Sequence, residues 1–357
     1  MNQVHGHLEI LDRGFGFLRE IENNFQAAST DTFVPMPLIR QLDLSEGVYI
    51  EGRGIQGDGK NSNLKLDEVE SVNHISLKDY GEIVALHEHT SINPSERFFL
   101  STGPKDHMGQ ALDMIVPIGK GQRGLIISPP KTGKTTILRH MANAIIANHS
   151  DTDVFVLLVD ERPEEVTDFK RGLTAGHVLH SSADQSVAQH MRITRLTMNT
   201  AIRCTEMGRD VVVFIDSLTR MARAFNTETQ SFGRTMTGGL GANALEIPRR
   251  IFGAARNLEN GGSLTIIATI LVDTGSRMDD IIYQEFKGTG NMDLVLSREC
   301  AESRLWPAIN INDSGTRKEH LLLTEKELKE VTRIRRALAR KDVTDAMATF
   351  LQFVVGK

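Results

Sequence analysis

Residues 128–135 read SPPKTGKT and come directly after an apolar run. They fit the pattern G-x-x-x-x-G-K-[ST], except that Ser128 replaces the first glycine. In this pattern the backbone N–H groups of the loop and of the following helix N-terminus hold phosphate oxygens. We therefore predict a site for ATP and Mg²⁺, in which Gly133 permits close backbone approach, Lys134 contacts the terminal phosphates, and Thr135 offers its hydroxyl to the metal. The other loop residues expected to contact the nucleotide are Pro130, Lys131, Thr132 and Thr136.

Two carboxylates end apolar runs elsewhere in the chain. Asp216 closes the run VVVFID, and Glu161 closes VFVLLVDE. If both runs are parallel strands, both acids lie at the carboxyl edge of one sheet, where ligands bind. There Asp216 is placed to hold Mg²⁺ through water, and Glu161 to orient and deprotonate an attacking water. The alternative for each acid is a capping role at a strand end.

Uninterrupted apolar runs are the elements that would position these groups. They lie at 125–127, 154–159, 211–215 and 264–270. Such runs are typical of parallel strands covered by helices on both faces. A helix is predicted at 134–147. Residues 101–357 are therefore expected to form a doubly wound α/β domain.

The first 74 residues follow a different pattern. Short alternating stretches are interrupted by glycines at 52–54 and 57–59, which predicts a small β-barrel with turns at those glycines. Within it, RGFGFL at 13–18 fits most of an aromatic RNA-binding signature. Alternation puts Phe15 and Phe17 on one face of a strand, where their rings can stack on bases. The alternative is that both rings belong to the barrel core.

The charge of this barrel does not favour nucleic acid. Residues 1–74 contain six Lys and Arg against twelve Asp and Glu, whereas phosphate binding usually requires a basic surface. Base stacking is therefore expected to supply most of the affinity, with one or two phosphate contacts from Arg19 and Arg40. Residues 75–100 show weak periodicity and are predicted to be a linker.

The composition argues against several other classes of protein. No run approaches the roughly 18 apolar residues of a membrane span, and the first residues lack a signal-peptide pattern, so we expect no membrane partner and a cytoplasmic location. Cys204 and Cys300 are far apart and have no metal-ligand spacing around them. Neither a disulfide framework nor a zinc site is therefore expected.

Longer strings resemble the Rho family of bacterial transcription terminators, which are RecA-like hexameric ATPases. They are PIGKGQRG at 117–124, VDERPEEVT at 159–167, DSLTR at 216–220, FGAARN at 252–257, EFKGTGNM at 285–292 and SGTRK at 314–318. The resemblance covers nearly the whole chain, and this family commonly has a small non-glycine residue at the position of Ser128. It implies a RecA-like P-loop NTPase domain preceded by an OB-fold, cold-shock-like β-barrel.

The resemblance also implies roles for individual residues. Arg317 would be an arginine finger that reaches a neighbouring subunit's γ-phosphate, with Arg220 at the same interface. Trp306 would stack on the adenine, and Arg304 would lie beside the nucleotide. Phe33 and Arg19 would join Phe15 and Phe17 in binding RNA. Two loops lining a central channel would supply further RNA contacts from Arg234, Thr237, Gly238, Gly239 and Arg277.

The function implied is that of an ATP-dependent RNA translocase and helicase that works as a homohexamer. It would bind nascent, pyrimidine-rich single-stranded RNA and dislodge the RNA polymerase elongation complex. Two alternatives stay open. One is a rotary-ATPase-like or RecA-like subunit of the same fold, against which the Phe15/Phe17 barrel argues. The other is a non-terminating paralogue that binds RNA or nucleotide without productive turnover, against which the intact Lys134, Glu161 and Arg317 argue.

Overall fold

The structure is a computed structural model that describes residues 2–57, 63–230, 241 and 243–356. The loop containing Arg234, Thr237, Gly238 and Gly239 lies outside these residues, as does most of the predicted turn at 57–59.

Residues 2–72 form a closed barrel of five strands in the order β1-β2-β3-β5-β4, as the alternating pattern predicts. The elements are β1 Asn2–Ile10, β2 Gly16–Arg19, β3 Phe33–Val34, α1 Met36–Gln41, β4 Tyr49–Gln56 and β5 Leu64–Val72. Leu8, Leu18 and Ile50 point inwards and are buried in the barrel core. The barrel is therefore closed around its own apolar interior, and its outer face is free for other contacts.

The glycines at 52–54 are not in a turn, as the sequence suggested, but inside β4. The pairing of β4 with β5 shifts register on both sides of Arg53, which is the mark of β-bulges that bend a strand. A Cβ atom on Gly52 would stand 2.2 Å from the carbonyl oxygen of Glu68. Glycine is needed here because two backbones approach closely, and not because the chain reverses.

Residues 75–100 are more ordered than the predicted linker. They contain α2 Leu77–Tyr80, β6 Ser91–Ile92 and β7 Arg97–Phe98. Phe98 is fully buried in the core of the following domain, and Arg97 donates a 2.7 Å hydrogen bond to the carbonyl of Asp113. Strands of two residues show no periodicity, which is why the pattern missed them.

The second domain alternates strands and helices. Its elements are α3 His107–Ile115, β8 Ile118–Gly119, β9 Arg123–Ser128, α4 Lys134–Asn148, β10 Asp153–Glu161, α5 Pro163–Gly172, β11 His177–Ser182, α6 Val187–Glu206, β12 Asp210–Asp216, α7 Leu218–Gln230, α8 Glu246–Gly253, β13 Arg256–Leu258, β14 Ser263–Leu271, α9 Arg277–Phe286, β15 Met292–Val295, α10 Arg298–Glu302, β16 Gly315–Thr316, the 3₁₀ turn Glu319–Leu321, α11 Glu325–Leu338 and α12 Val343–Val355.

The main sheet runs in the order β11-β10-β12-β14-β9-β15-β16. The strands from β11 to β15 in this order are parallel, and β16 pairs antiparallel with β15. Beside this order, β13 pairs antiparallel with β14 and with β6. Both faces are buried: Phe214 of β12 packs into one core, and its neighbours Val213 and Ile215 pack into the other. This is the predicted doubly wound α/β domain, and its carboxyl edge collects the ends of β9, β10, β12 and β14.

The barrel packs against α6 and β11 of the second domain. Arg192 donates to both carboxylate oxygens of Glu9, at 2.5 and 2.8 Å. The side chain of Asn24 exchanges two 2.8 Å hydrogen bonds with the backbone of His180. Glu9 has no exposed surface, so its ion pair with Arg192 joins the two domains at a buried position.

Two searches cover the residues that the structure describes. Among them, no helix is long and apolar enough to cross a membrane. Over the same part of the chain, His, Cys, Asp and Glu side chains form no cluster of three or more that could hold a metal ion by themselves.

Candidate nucleotide and RNA sites

The predicted phosphate loop joins the end of β9 to the start of α4. Ser128 is fully buried, and its hydroxyl lies 2.9 Å from that of Thr132, which also donates to the carbonyl of Pro129 at 2.8 Å. Gly133 adopts φ +81°, the left-handed conformation that glycine tolerates, immediately before the helix. The serine therefore fastens the loop from inside, which gives a physical reason for its presence in place of glycine.

Lys134, Asp216 and Glu161 meet at the carboxyl edge of the sheet. The ammonium of Lys134 lies 2.5 and 2.6 Å from the two oxygens of Asp216, and 3.5 Å from Glu161 Oε1. Thr269, near the end of β14, donates to Asp216 Oδ1 at 2.7 Å. The sequence reasoning did not identify Thr269, and because β14 also contains Ser263 and Thr265, polarity within the strand does not single it out.

Burial and neighbouring charge shift the protonation of this cluster. Glu161 is 1% exposed, and burial together with the negative charge of Asp216 raises its pKa to about 7. Burial alone would lower the pKa of Lys134, but the Asp216 and Glu161 carboxylates outweigh it and raise this pKa. Glu161 is therefore poised to exchange a proton near neutral pH, as a general base requires.

Arg220 lies beside Glu161 of its own chain. Its Nη2 atom is 3.5 Å from Glu161 Oε2, and its Nη1 atom donates to the carbonyl of Asp160. Asp160 adopts φ +56°, a conformation that turns this carbonyl towards the arginine. The interface role implied for Arg220 stays a prediction.

Trp306 borders the phosphate loop. Its side chain is 44% exposed, and a Cβ atom on Gly133 would stand 2.9 Å from the ring. A large ring with one open face beside the loop can accept a flat base. Arg304, two residues earlier, is exposed and has φ +59°. The adenine-stacking role of Trp306 and the role of Arg304 stay predictions.

Arg317 lies outside the cluster of Lys134, Glu161 and Asp216. It follows the edge strand β16, its side chain is exposed, and its backbone N–H donates a 2.9 Å hydrogen bond to the carbonyl of Asn291. Two strands away from the phosphate loop, it is available to a site other than that of its own chain. Arg277, for which the resemblance implies an RNA contact in the channel, is the exposed first residue of α9.

On the barrel, Phe15, Phe17 and Phe33 form one aromatic face. Their ring centroids lie 5.5 to 6.0 Å apart, and all three are half-buried and outside the barrel core. The alternative that the rings are barrel core is therefore wrong. The residues that form this face are called the aromatic face below.

Arg19 lies over the Phe17 ring, 4.8 Å from its centroid, but it is not an exposed phosphate contact. The residue is 6% exposed, and its guanidinium pairs with Glu9 at 2.6 Å and with Asp31. Its charge is already compensated by two buried carboxylates, so the expected phosphate contact is corrected to a role in supporting the face. Arg40, at the end of α1, is exposed and stays a predicted contact.

Comparisons with known proteins show where this combination occurs. Residues 4–78 match the model "Rho termination factor, RNA-binding domain", and residues 109–316 match "ATP synthase alpha/beta family, nucleotide-binding domain". The transcription termination factor Rho of Chromobacterium violaceum is 44% identical over 97% of this chain and 83% of its own length. The chain belongs to the Rho family.

Other Rho relatives are equally similar. Those of Thermotoga maritima and Escherichia coli are 44% and 43% identical, over 97% and 99% of this chain and 81% and 84% of their own lengths. A type III secretion ATPase of pathogenic bacteria has a TM-score of 0.64 at 23% identity, and covers 74% of this chain and 80% of that protein. That likeness concerns the fold alone. The predicted membership of the Rho family, the RecA-like fold with an OB-type barrel, nucleotide binding and RNA binding are confirmed. The alternative of a non-terminating paralogue is not favoured, because the relatives are named as transcription termination factors.

Proposed function

We propose that this Rho family member is an RNA-dependent ATPase that moves along single-stranded RNA as a ring-shaped homohexamer and terminates transcription. The observation that carries the proposal is the cluster of Lys134, Glu161 and Asp216, in one chain with the half-buried aromatic face. The cluster of three residues can cleave a phosphoanhydride, and the aromatic face can stack on bases. The two together are what a motor on RNA needs.

The residues present fit Mg²⁺, because two hard oxygen donors are available: the hydroxyl of Thr135 in the first turn of α4, and the carboxylate of Asp216 at the end of β12. When bound, the metal would neutralise charge on the β- and γ-phosphates. Lys134 would bind the same phosphates. Glu161 would orient a water and take one of its protons as the water oxygen attacks the γ-phosphorus and the bond to ADP breaks.

Arg317 would act on the neighbouring subunit. Its exposed position beyond β16 supports this, because an exposed arginine can supply positive charge to a transition state in another chain. Hydrolysis would then depend on ring assembly. Arg220, held against Glu161, would orient the base in its own chain.

RNA would bind first to the aromatic face and then in the ring channel, where Arg277 and the loop at 234–239 would contact the backbone. We expect a preference for pyrimidine-rich RNA, the RNA polymerase elongation complex as the target, and a cytoplasmic location. The first of these rests on the resemblance to the Rho family.

The test measures phosphate release with and without polycytidine, alongside the oligomeric mass with ATP and Mg²⁺ present. RNA-stimulated release from a hexamer is expected, and Lys134→Ala is the matched control. RNA binding without release would favour the non-terminating paralogue.

A further inference from the structure

A large cavity separates the barrel from α6, α7 and α8 of the ATPase domain. Its volume is about 1010 Å³, at the upper end of the ~300–1,000 Å³ range typical of ligand pockets. Phe15 of the aromatic face lines one wall, and Met191 and Ile251 contribute apolar surface on the opposite wall. This interdomain cavity therefore begins where the aromatic face ends.

The charge of the interdomain cavity comes from the ATPase domain. The barrel contributes two arginines and two acids to the lining, whereas the ATPase domain contributes five arginines and two glutamates. Arg13 and Arg250 are exposed, and neither has a carboxylate within 4 Å among the residues that the structure describes. Arg256 donates to backbone carbonyls, including that of Ala254 at 3.1 Å. These three cations remain available to an anionic ligand.

We propose that the interdomain cavity holds the sugar-phosphate backbone of single-stranded RNA as it leaves the aromatic face, with Arg13 and Arg250 as phosphate contacts. The proposal rests on the aromatic face being the RNA platform. Single-strand sites combine stacking rings with a positive groove that follows the backbone. The barrel alone has the rings but no net positive charge. The ATPase side of the cavity supplies positive charge through its arginines.

The apolar part of the lining favours RNA over a small anion. Met191 and Ile251, which are half-buried, offer a surface on which sugars and bases can pack while phosphates face the arginines. A site for inorganic phosphate has no use for such a surface. RNA held in this way would touch both domains, and so its affinity would depend on the full chain and not on the barrel alone.

The test uses the full chain and fluorescence anisotropy with labelled oligocytidines of about four and about twelve nucleotides, which fall within the ~4–16 nucleotide site sizes of OB folds. It is done in an Arg277→Ala background, so that the channel contact proposed above contributes less. Arg250→Ala is expected to weaken the longer oligonucleotide roughly threefold to tenfold and to lower its salt slope by about 0.7, the value of one phosphate contact. The shorter oligonucleotide should change less than about twofold.

Two variants complete the design. Arg336→Ala removes an exposed arginine on α11 and should leave both affinities unchanged. Phe15→Ala should weaken both lengths, because it removes a stacking ring. If Phe15→Ala has no effect on the short oligonucleotide, the platform itself is refuted, and with it the path that starts there.

If Phe15→Ala acts as expected but Arg250→Ala and Arg250→Glu leave the longer oligonucleotide unchanged, the platform stands and the cavity path is overturned. Equal losses at both lengths would also overturn it. Displacement of both lengths by inorganic phosphate would instead identify a small-anion site. A second readout is a photoreactive nucleotide at the 3′ end of the longer oligonucleotide, for which adducts in α6 or α8 are expected.

Discussion

The pKa of Glu161 leads to the sharpest prediction about the ATPase site. Burial and the nearby Asp216 raise this pKa to about 7, and a general base must be ionised to accept a proton. From that value, Glu161 is about one-tenth ionised at pH 6 and about nine-tenths ionised at pH 8. Turnover should therefore rise about tenfold over this range, whereas a carboxylate with an ordinary pKa would give a flat profile.

The assay is phosphate release at saturating ATP, Mg²⁺ and polycytidine between pH 6 and pH 8. Glu161→Gln keeps the shape of the side chain and removes the base. It should lower turnover by about 10²- to 10⁴-fold, leave ATP binding nearly intact, and flatten the pH profile. A change in turnover of less than about threefold would show that Glu161 is not the base.

The same pKa predicts an effect on stability that can be measured without turnover. Because the folded-state pKa is raised, Glu161 favours the folded state below its ordinary pKa, and this contribution is lost as the pH rises through about 7. Thermal melting of Glu161→Gln should match the wild type near pH 5 and exceed it at pH 8. A variant that melts lower at pH 8 would refute the assigned protonation.

Three further predictions concern other parts of the molecule. Arg317→Ala and Lys134→Ala should each abolish turnover, but mixed rings should regain some, because an intact loop can then face an intact finger; no recovery in rings shown to co-assemble would contradict a finger acting in trans. Trp306→Ala should raise the KM for ATP about tenfold while Trp306→Phe stays near wild type, since a stacked ring pair contributes about 0.5–1.5 kcal/mol; equal KM values would rule out stacking. Arg19→Ala should lower the free energy of unfolding by about 3 kcal/mol, because it leaves Glu9 with only one of its arginines; urea denaturation showing no loss would contradict the buried pair.

The nucleotide site could be predicted from the sequence because each of its parts follows a local rule. The phosphate loop is a contiguous string of residues. The two acids come at the ends of strands that can themselves be recognised from their apolar runs. Parallel pairing then brings Glu161 and Asp216 together without any further information. Thr269 was missed because its role is to donate to Asp216 on the neighbouring strand β12, and a local sequence pattern does not show which strands are neighbours.

Other features depend on contacts between distant residues, and the sequence reasoning failed there. A glycine cluster indicates a turn more often than a bulge, so the close approach of Gly52 to Glu68 was not foreseen. The short strands of residues 75–100 are formed by pairing with the second domain and have no pattern of their own. Arg19 was read as a free cation because its partner Asp31 lies twelve residues away on another part of the barrel.

Counting the charged residues of the barrel alone gives a misleading picture of how RNA would interact with it. Glu9 is shared by Arg19 of the barrel and Arg192 of the ATPase domain, and Glu46 pairs with Arg195 at 3.1 Å. Some of the negative charge that should repel RNA is thus neutralised by arginines of the other domain. Because those arginines also border the interdomain cavity, the electrostatics of RNA binding belong to the two domains together. An isolated barrel would lose both the neutralising partners and the positive wall, so weak RNA binding by such a fragment would say little about the affinity of the full chain.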